Sequence, residues 1–189
     1  MNCEDAIPLE NLDFCPTAEV AAGVSEVGVF IASYFDFDTI QAPPGLDTAT
    51  SLEDAATIAE AHTFLAGRGF HKVYINPESG LVDGAQVGEK GNLSIQNNFT
   101  FSVQGTGAKV AGWTRKYKNM PVIAIVKEKN GDIKQIGSKL SPAYMLEVTP
   151  TSGQKAGDAK TTTFKFTDVQ NYPAPEYAGA ITQFTPPST

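Results

Sequence analysis

Apolar and polar residues alternate along much of this chain, a pattern typical of strands that bury one face. Residues 27–40 show it first, with valine, isoleucine and phenylalanine at every second position and an expected bend at Ser33. Residues 92–104 predict a long strand whose alternation slips once and then resumes. Further strands are predicted at residues 70–76, 81–88, 121–137 (two strands), 144–150, 161–168 and 176–184.

A hairpin is predicted within residues 121–137, because two apolar-rich segments flank Asn130 and Gly131. Asn-Gly between two strands is the strongest short signal for a type I′ turn, in which both central residues adopt positive φ. The sequence therefore predicts that these two strands pair with each other.

Residues 51–66 show helical spacing instead. Leucine and alanine recur three and four positions apart, and a glycine follows the segment. Thr50 and Glu53 match a capping box, in which the two residues satisfy each other's backbone amides. We therefore predict a helix that packs its alanine-rich face closely against a sheet.

Residues 107–119 predict a second, amphipathic helix. Val110, Trp113 and Tyr117 are three and four positions apart, and the cations fall mainly between them. Gly112 leaves a strand as the alternative. Trp113, the only tryptophan, is expected in the core beneath this helix or, alternatively, as an anchor in an interface.

These elements predict an α+β, mostly β fold. It is an antiparallel β-sandwich or strongly curved sheet with one or two flanking helices. Residues 1–23 show no sustained period and predict an extended N-terminal arm, residues 24–183 a single β-rich domain, and residues 184–189 a C-terminal tail. The arm could span about 70 Å if fully extended.

The charge of the chain argues against a protein that grips nucleic acid. Lysine and arginine number 14, aspartate and glutamate 21, and the net charge is −7. Cations are concentrated in residues 109–134, and acids in residues 4–60. This asymmetry indicates either an ordinary solvated surface or a basic face of one copy that meets the acidic face of another. No apolar run reaches membrane-spanning length, and the N-terminus lacks the pattern of a signal peptide, so we expect no membrane partner.

The residue types that carry catalysis are sparse. His62 and His71 match no catalytic or metal-binding motif, and both are expected to be structural. Asp36 and Asp38 share one face of the predicted strand without a visible third ligand. Asn130-Gly-Asp132 is read as a turn rather than a calcium loop, and GTGAK at 105–109 lacks the phosphate-loop pattern. We expect no enzyme, no metal and no cofactor.

Several segments of the chain resemble the tail tube proteins of tailed bacteriophages. They are VGVFIAS at 27–33, PVIAIVKEKNGDIKQIGS at 121–138, SGQKAGDAKTTTFKF at 152–166 and the ending PAPEYAGAI at 173–181. The resemblance covers residues 27–181. It implies a structural virion protein, assembled in the host cytoplasm and located in the phage tail. Six copies would form a ring, with the barrel completed between subunits, and rings would stack into a hollow channel for DNA.

The resemblance also implies partners and contacts. The partners are further copies of this chain and other tail proteins, and DNA passes through the lumen without specific binding. A net-negative lining would repel phosphates. The candidate self-assembly contacts are Cys3 and Cys15 in the arm, Pro43, Pro44 and Leu46 in the 41–50 loop, and Trp113. The two cysteines are expected as free thiols, with a disulfide as the alternative.

Two other functions fit the same sequence. One is another virion part, such as a neck ring, a tail terminator or a capsid decoration protein. The other is a β-sandwich that binds a small ligand or a carbohydrate, which a concave cluster of Tyr34, Phe35 and Phe37 on an exposed face would support. A single finite ring would favour the first, and a bound ligand would favour the second.

Overall fold

The computed structural model describes Ile7, residues 11–12 and residues 20–186. Within them the fold is mostly β, with one α-helix, and neither of its two main sheets closes into a barrel. The predicted α+β, mostly β sandwich is confirmed. The predictions for Cys3, Cys15 and most of the 1–23 arm lie outside the described residues.

The larger sheet has six strands in the order β3-β12-β9-β8-β1-β5. Its strands are β1 (Val24–Ser33), β3 (Thr57–Ile58), β5 (His71–Val73), β8 (Val122–Glu128), β9 (Ile133–Ile136) and β12 (Glu176–Tyr177). All neighbours are antiparallel except β12 and β3, which run parallel. A small two-stranded sheet joins β2 (Phe37–Thr39) to β4 (Thr63–Phe64).

The second sheet has four antiparallel strands in the order β10-β11-β7-β6. They are β6 (Leu81–Glu89), β7 (Asn92–Gln104), β10 (Tyr144–Thr151) and β11 (Thr161–Gln170). The long strand predicted at residues 92–104 coincides with β7. Its partner β11 alternates strictly between buried and half-exposed positions up to Asp168, as expected for a sheet with one covered face.

The main core lies between the two sheets. Phe99, Phe101, Phe164 and Phe166 of the four-stranded sheet pack against apolar residues of β1 and β8. A second cluster, which includes Ile125 and Phe70, covers the opposite face of β8. Strand β8 is therefore buried on both faces, which explains its continuous apolar run.

Helix α1 (Ala108–Tyr117) confirms the prediction of a helix at 107–119. Tyr117 is buried, and the Trp113 ring meets the Phe164 ring edge-on with centroids 4.9 Å apart. Trp113 thus packs against the core beneath the helix, as expected. Arg115 and Lys116 lie in the last turn, where the helix dipole favours positive charge.

The helix predicted at residues 51–66 is wrong. A short 3-10 turn, Asp54–Ala56, is followed by β3 and β4. The capping box does not form, because the Asp54 carboxylate accepts hydrogen bonds from the backbone and hydroxyl of Thr50 at 2.9 and 3.1 Å. Thr57 and Ile58 pair with β12 instead, so tertiary pairing overrides the alanine-rich helical spacing.

The predicted hairpin forms between β8 and β9, but its turn is not type I′. Gly131 has φ of 106°, whereas Asn130 does not have positive φ. The Gly131 N–H donates to the Glu128 carbonyl at 3.2 Å, and the Glu128 N–H donates to the Asp132 carbonyl at 2.8 Å. This is a three-residue loop with the glycine in a left-handed bulge, the next most common hairpin connection.

Candidate assembly surfaces

The two sheets end in edges of very different length. The outermost strands of the six-stranded sheet have two and three residues, whereas β6 and β10 have nine and eight. Within the described residues, no strand pairs with the outer side of β6 or of β10. Leu81 in β6 and Leu146 in β10 are 55% and 53% exposed. Long edges with exposed leucines are templates for pairing with another chain.

Strand β10 carries two features typical of edge strands. Its register with β11 shifts between Met145 and Glu147, which places Leu146 in a bulge. Pro150 lies within the strand, and proline is confined to edges because it has no N–H to donate. The sequence pattern alone did not predict this open edge, although a proline inside an alternating run indicates an edge strand.

The outer face of the four-stranded sheet is polar and nearly uncharged. Its outward residues in the two central strands are Asn92, Ser94, Gln96, Asn98, Thr100, Ser102, Gln104, Thr161, Thr163, Lys165, Thr167 and Val169. The register adds three carboxylates to this face, those of Asp83, Glu89 and Glu147. Three carboxylates and the single ammonium of Lys165 leave a net charge of −2 on the outer face of these four strands.

Helix α1 leaves an apolar cleft on each side. The first, of about 270 Å³, lies between α1 and the end of β5, with Phe101, Phe164 and Trp113 among its lining residues and Lys72 and Lys109 also lining it. The second, of about 370 Å³, opens toward β10 and is lined by Arg115 and other residues of both elements. Both clefts therefore combine an apolar lining with positive charge.

The cations around α1 have no carboxylate partner in the part of the chain that the structure describes. The ion pairs found among the described residues join Arg68 to Asp36 at 3.5 Å and Lys129 to Glu26 at 3.2 Å. The Lys72 ammonium instead lies 5.0 Å from the centre of the Tyr74 ring. The charge on this side of the molecule is thus left for solvent or a partner.

The predicted contact residues do not form one site. Leu46 is exposed in a turn where Thr48 and Ala49 donate to the Gly45 carbonyl at 2.9 Å, and Pro43 and Pro44 before it are half-buried. Trp113 lies in the wall of the first cleft, to which the 41–50 loop contributes no residue. The structure leaves the loop and the tryptophan as two separate surfaces.

His62 is buried in the segment between β3 and β4, not in a helix. The Gln41 backbone N–H donates to Nδ1 at 3.0 Å, so the proton is on Nε2, which donates to Gln135 Oε1 at 2.8 Å. Burial lowers the pKa of His62, and the Gln135 hydrogen bond opposes this only in part. Both ring nitrogens are therefore used in holding a neutral imidazole within the fold.

Asp168 extends this hydrogen-bond network to the four-stranded sheet. Gln135 Nε2 donates to the Gly137 carbonyl at 3.0 Å, and the Gly137 N–H donates to the Asp168 carboxylate. Asn97 and Gln170 donate to the same carboxylate at 2.9 and 2.6 Å. Burial raises the pKa of Asp168, while these donors act in the opposite direction. The network joins the two sheets by hydrogen bonds, and sequence reasoning missed it.

The two aspartates expected on one strand face are separated. Asp36 lies in a 3-10 turn, Tyr34–Asp36, and pairs with Arg68, whereas Asp38 lies in β2 and accepts a hydrogen bond from Thr63 at 3.3 Å. The turn starts at Ser33, where the bend was predicted. Among the described residues, no group of three or more histidines, cysteines or acids could hold a metal ion.

The aromatic cluster considered for ligand binding does not form an exposed platform. Phe35 is exposed, but Phe37 is buried and packs against Phe64, with ring centroids 4.4 Å apart. Tyr34 meets Phe35 edge-on and donates its hydroxyl to the Lys139 carbonyl at 3.1 Å. These three residues therefore offer no shared concave surface to a sugar ring.

Comparisons with protein-family models, with curated proteins and with solved structures gave no match to this chain. Within the described residues, no helix has the length and apolar character needed to cross a membrane. The function is therefore inferred from the surfaces themselves, beginning with the long open edges of the four-stranded sheet.

Proposed function

We propose that this protein is a self-assembling structural subunit of the phage tail tube type. The observation that carries the proposal is the pair of long open edges, β6 and β10, on opposite sides of one sheet. In a ring, β6 of one copy pairs with β10 of the next. This contact uses two different surfaces and closes on itself, as head-to-tail contacts do when the rotation between copies completes a circle.

The strand directions and lengths suit this pairing. Each strand of the four-stranded sheet is antiparallel to its neighbour, so β6 and β10 run in opposite directions. Copies related by rotation about a ring axis would therefore continue the antiparallel alternation across each contact. The two strands also match in length, with nine and eight residues, so few backbone groups would stay unpaired.

The outer face of the same sheet supports a role as a channel lining for DNA. Its side chains are mainly amides and hydroxyls, and its net charge of −2 per copy comes from Asp83, Glu89 and Glu147 against Lys165. Duplex DNA is densely negative, and cations are what bind its phosphates. A lining with one cation per copy offers few such contacts, so DNA slides past it.

Ring stacking is the second part of the proposal. The 41–50 loop, with Leu46 at its exposed turn, and the N-terminal arm are the surfaces proposed to contact the next ring. Assembly then occurs in the host cytoplasm, and the tube resides in the virion with other tail proteins. A neck or terminator protein would share the ring and lack the stacking.

The edge contact is tested by replacing its exposed leucines. We expect the purified chain to form rings and tubes in electron micrographs, and the double variant Leu81→Lys, Leu146→Lys to raise the concentration needed for assembly at least tenfold, because lysines on an edge oppose pairing. Val27→Lys is the matched control, since Val27 is 52% exposed and lies in a six-stranded-sheet strand that is not at an edge.

Three results would decide the matter. A wild-type chain that sediments as a monomer at high concentration and across salt conditions would overturn the proposal. Assembly that the double variant leaves unchanged would overturn the edge contact. Single rings that Leu46→Asp leaves unaltered and that never stack would assign the protein to the neck or terminator class instead.

A further inference from the structure

We propose that the cleft between α1 and β5 binds the N-terminal segment around Leu12 of a second copy of this chain. The inference rests on the proposed self-assembly and names one of its contacts. It joins two observations that sequence patterns alone did not connect. One is an apolar, positively lined cleft, and the other is a fully exposed leucine between acidic residues.

The cleft offers a partner both an apolar surface and positive charge. Buried Phe101 and Phe164 belong to the core and line the cleft from the sheet side, and half-buried Trp113 lines it from the helix. Lys72 and Lys109 line it from β5 and α1, and both are exposed. A volume of about 270 Å³ accommodates a leucine side chain with its neighbouring backbone.

Leu12 is the proposed occupant of the cleft because its side chain is exposed and acidic residues flank it in the sequence. Leu12 is 97% exposed, so it does not occupy the cleft of its own chain. It lies in the sequence Glu10-Asn-Leu-Asp-Phe14, with carboxylates two positions before it and one position after it. Residues 1–19 contain five acids and no lysine or arginine. An apolar anchor flanked by acids complements an apolar cleft flanked by lysines.

The length of the segment allows contact with a neighbour. Leu12 lies eight positions before Val20, where the continuously described chain begins. Eight positions span at most about 26 Å at about 3.3 Å per residue. We propose that this reach brings Leu12 to the cleft of an adjoining subunit.

Trp113 reports occupancy of this cleft directly. It is the only tryptophan of the chain, so no other tryptophan contributes to the emission. The probe is a synthetic peptide of residues 7–17 with Cys15→Ser, titrated into the full-length Leu81→Lys, Leu146→Lys variant, which we expect not to assemble at the concentrations used. We expect a saturable change in Trp113 emission.

Charge reversal then tests the recognition. Lys72→Glu with Lys109→Glu should weaken peptide binding at least tenfold, and a peptide with Glu10→Lys and Asp13→Lys should bind this reversed chain better than the natural chain. Leu12→Ala in the peptide should weaken binding to a similar extent. The controls are a scrambled peptide and Lys139→Glu with Lys165→Glu, because neither of these lysines lines the cleft.

A photocrosslinker identifies which copy supplies the segment. Benzoylphenylalanine replaces Leu12 in unlabelled full-length protein, which is mixed with nitrogen-15-labelled wild-type protein under assembly conditions. We expect crosslinks from position 12 to labelled peptides that contain residues 72–74 or 109–113. Crosslinks within one chain would overturn the proposal, because the segment would then cover its own cleft.

The outcomes separate this inference from the proposed function. Rings that form without crosslinks to the cleft, together with absent peptide binding, would overturn the docking and leave the edge contact intact. A monomeric chain that still binds the peptide with the expected charge dependence would overturn the ring and leave the docking. Binding of decanoate in place of the peptide would assign the cleft to a small amphipathic anion and overturn the docking.

Discussion

Five consecutive residues of β8 are buried in the six-stranded sheet, whereas seven of the eight residues of β10 are exposed in the four-stranded sheet. The first sheet has apolar clusters on both faces and ends in very short strands. The second has one covered face and ends in strands of nine and eight residues. The comparison indicates that β8 stabilises a single chain through both of its faces, whereas the edge strands of the second sheet keep backbone hydrogen-bonding capacity for neighbours.

Substitution of a buried isoleucine should show the largest effect. Ile125→Ala in β8 should lower the free energy of unfolding by about 2–5 kcal/mol, because it removes a fully buried side chain and leaves a cavity. Val148→Ala in β10, where the side chain is 38% exposed, should cost less than about 1 kcal/mol. Urea unfolding of both variants measures the difference, and equal losses would contradict the division between the sheets.

The buried hydrogen-bond network of His62, Gln135 and Asp168, which joins the two sheets, should make the free energy of unfolding depend on pH. The folded-state pKa of His62 lies below its ordinary value of 6.5, so its contribution is complete above pH 6.5 and is lost as the pH falls through the folded-state pKa. His62→Phe should cost about 1–3 kcal/mol at pH 7.5 by leaving Gln135 and the Gln41 amide unpaired. The substitution should also remove part of the decline in the free energy of unfolding between pH 7 and pH 5, measured by urea titrations.

Asp168 provides the control for this prediction, because its shift has the opposite sign. Its pKa is raised above the ordinary 3.8, so its contribution is complete below that pH and is lost as the pH rises through the folded-state pKa. Asp168→Asn should therefore keep the His62-dependent decline. A wild-type chain equally stable at pH 7.5 and pH 5, with an unchanged slope in both variants, would contradict the assignment.

The two hairpin glycines offer a matched comparison of smaller effects. Gly131 in the β8–β9 turn and Gly91 in the β6–β7 turn have φ of 106° and 89°, and an added Cβ would meet nothing within 4 Å at either position. Alanine therefore tests backbone strain alone, worth about 1–2 kcal/mol. We expect Gly131→Ala to show that loss in global unfolding. We expect Gly91→Ala to show little, because residues 88–93 at this end of β6 and β7 are exposed and should open locally before the rest of the fold. Hydrogen exchange of the amides near each turn distinguishes these outcomes.

Charge changes on the outer face of the four-stranded sheet should have the smallest effect on folding. Asp83→Lys with Glu147→Lys should alter unfolding by no more than about 0.5 kcal/mol, while the face changes from −2 to +2. Assembled variant protein should then bind duplex DNA in a salt-dependent manner, measured by fluorescence anisotropy, and wild-type protein should not. Asp47→Lys with Glu53→Lys makes the same charge change elsewhere, and DNA binding by this control would contradict a specific lining.

Local signals in the sequence predicted the parts of the fold that local chemistry decides. Alternation placed β7, the Asn130-Gly131 pair placed the β8–β9 hairpin, and amphipathic spacing placed α1. The segment 51–66 failed because its outcome depends on pairing with β12, more than a hundred residues later. A local pattern contains no information about a partner that distant.

The candidate surfaces were harder to predict than the fold. Whether β6 and β10 are edges depends on sheet order, which alternation does not encode. The contacts of His62 join residues 41, 62 and 135, and no spacing in the chain indicates them. Trp113 was correctly expected against the core, but its position in a cleft wall depends on how far β5 extends beside α1. Surfaces of this kind become visible only when the long-range pairings are known.

The position of β12 has a consequence for the order of events during synthesis. Glu176 and Tyr177 lie between β3 and β9, so the six-stranded sheet has a gap until these two residues have been translated. A nascent polypeptide that already includes both long edges, β6 and β10, therefore lacks the strand that connects β3 to its sheet. The six-stranded sheet is therefore completed only after both edge strands have been synthesised. A growing chain exposes β6 and β10 to other chains before that sheet is complete.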